Sequence, residues 1–235
     1  NGRDSLIAGL FALEYAALFR LINPYLHSVG LPFLLGGTSN HFRRSDLLAI
    51  GGWDAANLTE DAEIGVRLLR NGQTLLPLPS RTQEEAPIAW RNWRRQRVRW
   101  MKGFMQTLWS LAASPVRLAR AMGIAPFLTT VVLLAGTVLS ALCLPFAWLA
   151  LAIVMIHEPW PGSNDIRQAA FYSVGLVLFV SGVAAMVYPA VVAARSTVTR
   201  HGRVTAWLMP FYAWALSLSG WIAVGELIRR PLYWD

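Results

Sequence analysis

Thr59-Glu60-Asp61 sets two carboxylates side by side at the start of an apolar helical pattern. A carboxylate in such a place can act as a general base toward a hydroxyl, provided a substrate site lies beside it. Downstream, Gln96, Arg99 and Trp100 stand at i, i+3 and i+4 and share one helical face. A guanidinium fork suits diphosphate oxygens, an amide adds hydrogen bonds, and an indole offers a flat surface for a sugar ring. Upstream, Gly36-Gly37-Thr38-Ser39 forms a polar turn where a bulky side chain would collide with anything bound.

Each group also has an ordinary explanation. Thr is a good helix N-cap and acids in a first turn interact well with the helix dipole, so the TED triplet alone favours a plain helix start. The stretch Trp93–Trp100 reads equally as a basic helix anchored at a membrane surface by tryptophan. A nucleic-acid interface would need an exposed basic face, which sits poorly beside apolar spans, and nucleic acid is not an expected partner.

The elements that must position these groups differ along the chain. Of the 13 acids and 21 bases, 9 acids and 15 bases precede residue 121, while 55% of all residues are hydrophobic and 14% are charged. A polar front part and a membrane-embedded back part follow from that asymmetry. The net charge of +8 is carried by arginine, Lys102 being the only lysine. Such a balance suits anionic lipid on a cytoplasmic face or phosphate-bearing substrates. Cys143, the single cysteine, has no internal disulfide partner.

The front part reads as helix over 5–21, short strands within 31–44, helix from Asn57 to Leu69 stopped by Asn71-Gly72, and a strand over 74–80. The first helix reads as amphipathic, and its Glu14 and Arg20 make it too charged for a span. From Arg91 through Arg120 there are eight bases and no acids, with apolar residues at helical spacing from Trp100 to Ala112. That pattern predicts a helix in the membrane interface plane. Apolar segments follow at 127–156, 169–194 and 206–224. The basic loop 195–203 and the basic flanks all favour the cytoplasmic side. Three plain crossings cannot satisfy them all, so either 127–156 is a hairpin around Pro145 or 206–224 lies in the interface.

Together, "GGTSNHFRR", "GGWD", "TEDAEIGVRLLRNG", "EEAP" and "QRVRWMKG", followed by membrane segments and a closing "RRPLYWD", resemble the membrane-bound family 2 glycosyltransferases of the cellulose-synthase-like and hyaluronan-synthase-like kind. The resemblance implies an α/β fold: part of a GT-A-type catalytic domain over 1–100, an amphipathic interfacial helix over 101–120 and a transmembrane helical region over 121–235. It implies inverting transfer of a sugar from a nucleotide-sugar donor to a polysaccharide or lipid-linked acceptor, at the cytoplasmic face of a cell inner membrane. By this resemblance Asp61 is the base and Glu60 supports it. Gln96, Arg99 and Trp100 hold the donor diphosphate and acceptor sugar, and Gly37, Thr38 and Ser39 line the acceptor turn. A divalent metal, Mg or Mn, is expected in the whole enzyme. The D-x-D motif that would bind it is not found in this sequence and is expected ahead of residue 1, so the chain reads as an inactive piece lacking the nucleotide-binding half. The rival reading is a membrane scaffold or transporter subunit with a basic cytoplasmic helix. The near absence of charge between Phe127 and Ala194 counts against a transporter.

Overall fold

Ser5 begins the first helix: its hydroxyl accepts from the Ala8 amide and donates to the Ile88 carbonyl, which ties the helix start to the segment before the arginine-rich helix. Helix α1 (Leu6–Ala17) runs on through a wide π-type turn (Leu18–Ile22) into α2 (Asn23–Ser28). The computed structural model describes residues 2–80, 82–157, 166–195 and 202–230. The remaining elements are α3 (Arg44–Ala49), α4 (Glu60–Arg70), α5 (Trp90–Ala112), α6 (Pro115–Met122), α7 (Ile124–His157), α8 (Ile166–Ala193), α9 (Gly202–Ala206) and α10 (Met209–Arg229).

The first helix is not one-sided. Leu10 and Phe11 pack with Trp93 and Tyr212, whereas Leu13 packs with Ala190 and Ala206, and Ala16 and Ala17 with Ala193. It is therefore apolar on opposite faces and wedged between α5 and α10 on one side and α8 and α9 on the other. The expected amphipathic pattern fails because Glu14 is turned inward onto Arg97 rather than out to water. Four helical stretches among the described residues are long and apolar enough to cross a membrane: Leu6–Ser28, Ile124–Ile153, Ala169–Ala193 and Met209–Arg229.

Helix α7 is one unbroken rod of 34 residues with Pro145 inside it, so the hairpin alternative is excluded. At 1.5 Å per residue it is about 51 Å long, well beyond the roughly 30 Å of a hydrocarbon core. Its outward residues Val132, Leu139 and Phe146 are exposed, as are Val177 and Leu178 on α8 and Phe211 on α10, which is the pattern hydrocarbon favours.

No strand occurs among the described residues, so the α/β expectation is not met within them. A strand exists through ladder hydrogen bonds to a neighbour. The extended stretches within 31–36 and 73–79 instead meet through side chains, Phe33 and Leu75 packing with Leu68 of α4. Apolar residues of α5 pack against protein: Val98 and Met101 meet Val138, Ala141 and Ala223, while Leu108 and Leu111 meet Leu134. The helix also straddles residue 100, and its packing joins the front of the chain to the membrane-type helices. Lys102, 1% exposed, donates to the Arg230 carbonyl at 2.6 Å with Glu226 at 4.0 Å, clamping α5 to the carboxyl end of α10. Of the closing "RRPLYWD", residues 231–235 lie outside the described residues, as do 158–165 and, within the basic loop 195–203, residues 196–201.

Candidate active site

Asp61 lies in the first turn of α4, half-buried, behind the Gly36-Gly37 turn. A Cβ on Gly37 would come within 3.1 Å of Asp61 Oδ2, so any larger residue in the turn would crowd the carboxylate. Asn40 donates to the Gly36 carbonyl and, at 3.5 Å, to Asp61 Oδ1. Trp53 also favours the charged form of Asp61. Its loop is held by Arg67, one guanidinium spanning the Ile50 and Gly52 carbonyls at 2.7 and 2.6 Å while pairing with Glu63. Thus α4 carries both the carboxylate and the arginine that holds the loop bearing Trp53.

Burial is the main cause that raises the Asp61 pKa above the ordinary carboxylate value, and the adjacent Glu60 charge adds to it. The hydrogen bond from Asn40, the Trp53 side chain and the charge of Arg99 pull the other way without cancelling the rise. A helix N-terminus would be expected to weaken this base; here burial and Glu60 prevail. Thr59 is not the side-chain cap its type predicts, since its hydroxyl bonds Asn57 instead.

The TED loop is stitched to α5 just beyond Trp100. Asn57 Nδ2 donates to Thr107 Oγ1 at 3.0 Å, and the Leu58 amide donates to Gln106 Oε1 at 3.1 Å. Gly103 lets the two backbones touch: a Cβ there would sit 2.7 Å from the Thr59 amide nitrogen and closer still to its side chain. Gly103→Ala must push the TED loop off α5. Alanine favours helix over glycine by about 1 kcal/mol, so the fold should survive. Any chemistry that Asp61 performs is expected to fall by about 100-fold from misplacement alone. Unchanged turnover with normal helical content would show that this contact does not align the site.

These contacts bring Gly37, Thr38, Glu60, Asp61, Gln96, Arg99 and Trp100 to the wall of one cavity of about 790 Å³. Gln96 Oε1 is buried there without a partner. Ser39 is not among the lining residues; it is exposed, at φ 57, and shares a hydrogen bond with Thr82. Trp93 is fully buried and donates to Tyr212, so it is structural rather than part of the stacking face. Trp100 is partly committed as well, stacked with Tyr15 at 6.0 Å between centroids and covered by the Arg97 guanidinium at 4.6 Å; its uncovered part lines the cavity.

Arg97, between Gln96 and Arg99, is the centre of the packing. It is 4% exposed, makes a bidentate pair with Glu14, donates to Tyr212 at 2.9 Å and lies among the rings of Phe11, Trp93, Trp100 and Tyr212. Its place four residues after Trp93 and three before Trp100 is the signal that could have marked it. Among the described residues no group of three or more His, Cys, Asp or Glu side chains could hold a metal ion.

A stretch of 85 residues is 35% identical to a probable glycosyltransferase, YdaM, of Bacillus subtilis (strain 168), covering 36% of this chain and 20% of that protein. No solved structure matches the chain. Residues 8–224 match the family described as glycosyl transferase family group 2. With nearly its whole length so matched, and its paired acids and arginine-rich helix facing one cavity, the chain belongs to glycosyl transferase family group 2.

Proposed function

We propose that this chain forms the acceptor side of an inverting glycosyltransferase of the membrane-bound, cellulose-synthase-like or hyaluronan-synthase-like kind, with a GT-A-type catalytic part at the cytoplasmic face of an inner membrane. One observation carries the reading: Asp61, Gln96, Arg99 and Trp100 line the same cavity although α4 and α5 are far apart in sequence. In the proposed reaction the acceptor hydroxyl gives its proton to the Asp61 carboxylate as its oxygen bonds the anomeric carbon. The bond from that carbon to the diphosphate breaks, and the nucleoside diphosphate leaves with the electron pair. Arg99 and Gln96 supply donors toward the diphosphate, Trp100 an apolar edge toward a sugar, and Glu60 raises the basicity of its neighbour. The divalent ion expected with such a donor belongs to the proposal, its ligands lying outside the described residues. The bilayer setting rests on the four apolar helices, and the cytoplasmic side on the arginine-rich flanks.

The test is transfer from a panel of nucleotide sugars by the intact protein carrying this chain, reconstituted in vesicles, with the anomeric configuration of the product read by NMR. Transfer with inversion is expected. Failure to consume any donor, or a product that retains configuration, overturns the reading.

A further inference from the structure

The cavity does not end at the carboxylates. It continues between α7 and α8 along Leu133, Leu144, Ala185, Met186 and Leu216. The polar side chains on this arm have spent their donors and keep only hydroxyl lone pairs for a ligand. Thr137 donates to the Leu133 carbonyl, Ser140 to the Thr137 carbonyl, and the Tyr212 hydroxyl to Glu14. A glycan chain drawn along such a wall would lose its water for few hydrogen bonds in return. A hydrocarbon chain would lose nothing.

The other end has the opposite character. Asn23 is 97% buried, lines the cavity, and its Nδ2 has no hydrogen-bond partner. It follows directly on the wide turn Leu18–Ile22, one helical turn after Phe19, whose ring is packed against Gly36. A buried amide donor without a protein partner can take an oxygen from a bound ligand. Five carboxylates, Glu14, Glu60, Asp61, Glu84 and Glu85, line this end against the guanidinium groups of Arg97 and Arg99, and Arg97 is already paired with Glu14. With Arg99 assigned to the donor diphosphate and Arg97 paired with Glu14, an anionic acceptor head group would face these carboxylates without a cation of its own, whereas a hydroxyl needs none.

We infer that the acceptor is a neutral lipid alcohol, its hydroxyl at Asp61, an oxygen of its head group accepting from Asn23, and its hydrocarbon chain in the arm between α7 and α8. This deepens the proposed function and rests on it for the transfer step: the lipid O–H proton passes to Asp61, the new bond joins the lipid oxygen to the anomeric carbon, and the nucleoside diphosphate departs with the electrons of the broken bond.

The experiment offers the reconstituted intact protein a diacylglycerol, a ceramide, a polyprenyl phosphate and a soluble oligosaccharide, each with labelled donor, and separates organic-soluble from aqueous product. Label is expected in a neutral lipid alcohol, with preference rising roughly threefold to fourfold per buried methylene along a chain-length series. Ala185→Trp, which fills the arm, should flatten that series. Asn23→Leu should raise the acceptor KM by roughly five- to tenfold, the value of one hydrogen bond, while thermal stability holds or improves because an unsatisfied amide is gone. Label confined to polyprenyl phosphate or oligosaccharide, or a chain-length series that Ala185→Trp leaves untouched, overturns the inference while leaving transferase function standing. If no donor is consumed at all, the proposed function fails. The inference is then judged by photo-crosslinking a diacylglycerol probe: labelling of the α7–α8 arm upholds the lipid site, and labelling elsewhere rejects it.

Discussion

Asp61→Asn in the intact protein is expected to slow sugar transfer by roughly 10²- to 10⁴-fold while nucleotide-sugar affinity stays within about twofold. Asparagine keeps the shape and an oxygen that can still accept from Asn40, but it cannot take a proton. The loss therefore belongs in kcat. Glu60→Gln should cost far less, because Glu60 acts by raising the Asp61 pKa rather than by touching the proton. The pH profile carries the same argument. Asp61 works only when ionised, and its pKa is raised, so the rate should fall as pH drops through a value above the ordinary carboxylate range. Arg99→Gln removes a charge that lowers this pKa and should move the acid limb further up. Stability runs the other way. The folded chain holds the Asp61 proton more tightly than the unfolded chain, so the favourable contribution is full below the unfolded pKa and is lost as pH rises through the folded value. At neutral pH Asp61→Asn should thus be mildly stabilising while nearly inactive. Retained turnover, or an acid limb at the ordinary carboxylate pKa, would remove Asp61 from the base role.

Local spacing carried much of this site. Gln96, Arg99 and Trp100 share a face because helix geometry fixes what lies three and four residues apart, and Thr59-Glu60-Asp61 opens a helix because apolar periodicity follows it. Contacts across long separations were hidden. Glu14 reads as a charge that disqualifies a span until Arg97, 83 residues later, is seen to neutralise it. Gly103 reads as one glycine in a helix until Thr59 is found against it. The strands expected within 31–44 and 74–80 rested on β-type composition, yet a strand is decided by a neighbour with which to exchange hydrogen bonds. Pro145 read as a possible break, whereas in the structure α7 runs straight through it as one apolar rod.

The buried charges give the second large effect. Glu14→Leu is expected to destabilise the protein by roughly 3–5 kcal/mol, because it leaves the Arg97 guanidinium unpaired in a site from which water is excluded. The reverse change should be milder. The Arg97 side chain is 5% exposed and that of Glu14 27%, so a carboxylate left behind by Arg97→Met can still reach water. Combining Glu14→Leu with Arg97→Met should recover much of the loss, since an apolar pair of similar volume removes both desolvation costs. Thermal unfolding in detergent of the two single variants and the double variant, taken as a cycle, measures the coupling. Activity should not recover with stability. Arg97 covers the Trp100 ring at 4.6 Å and links α1, α5 and α10 through Glu14 and Tyr212, so an apolar substitute frees the indole that borders the substrate cavity. A double variant restored in stability but slowed in transfer would identify this ion pair as a positioning device. A Glu14→Leu cost below about 1 kcal/mol would instead mean that water reaches the guanidinium, and the pair would then be no stronger than one on a surface.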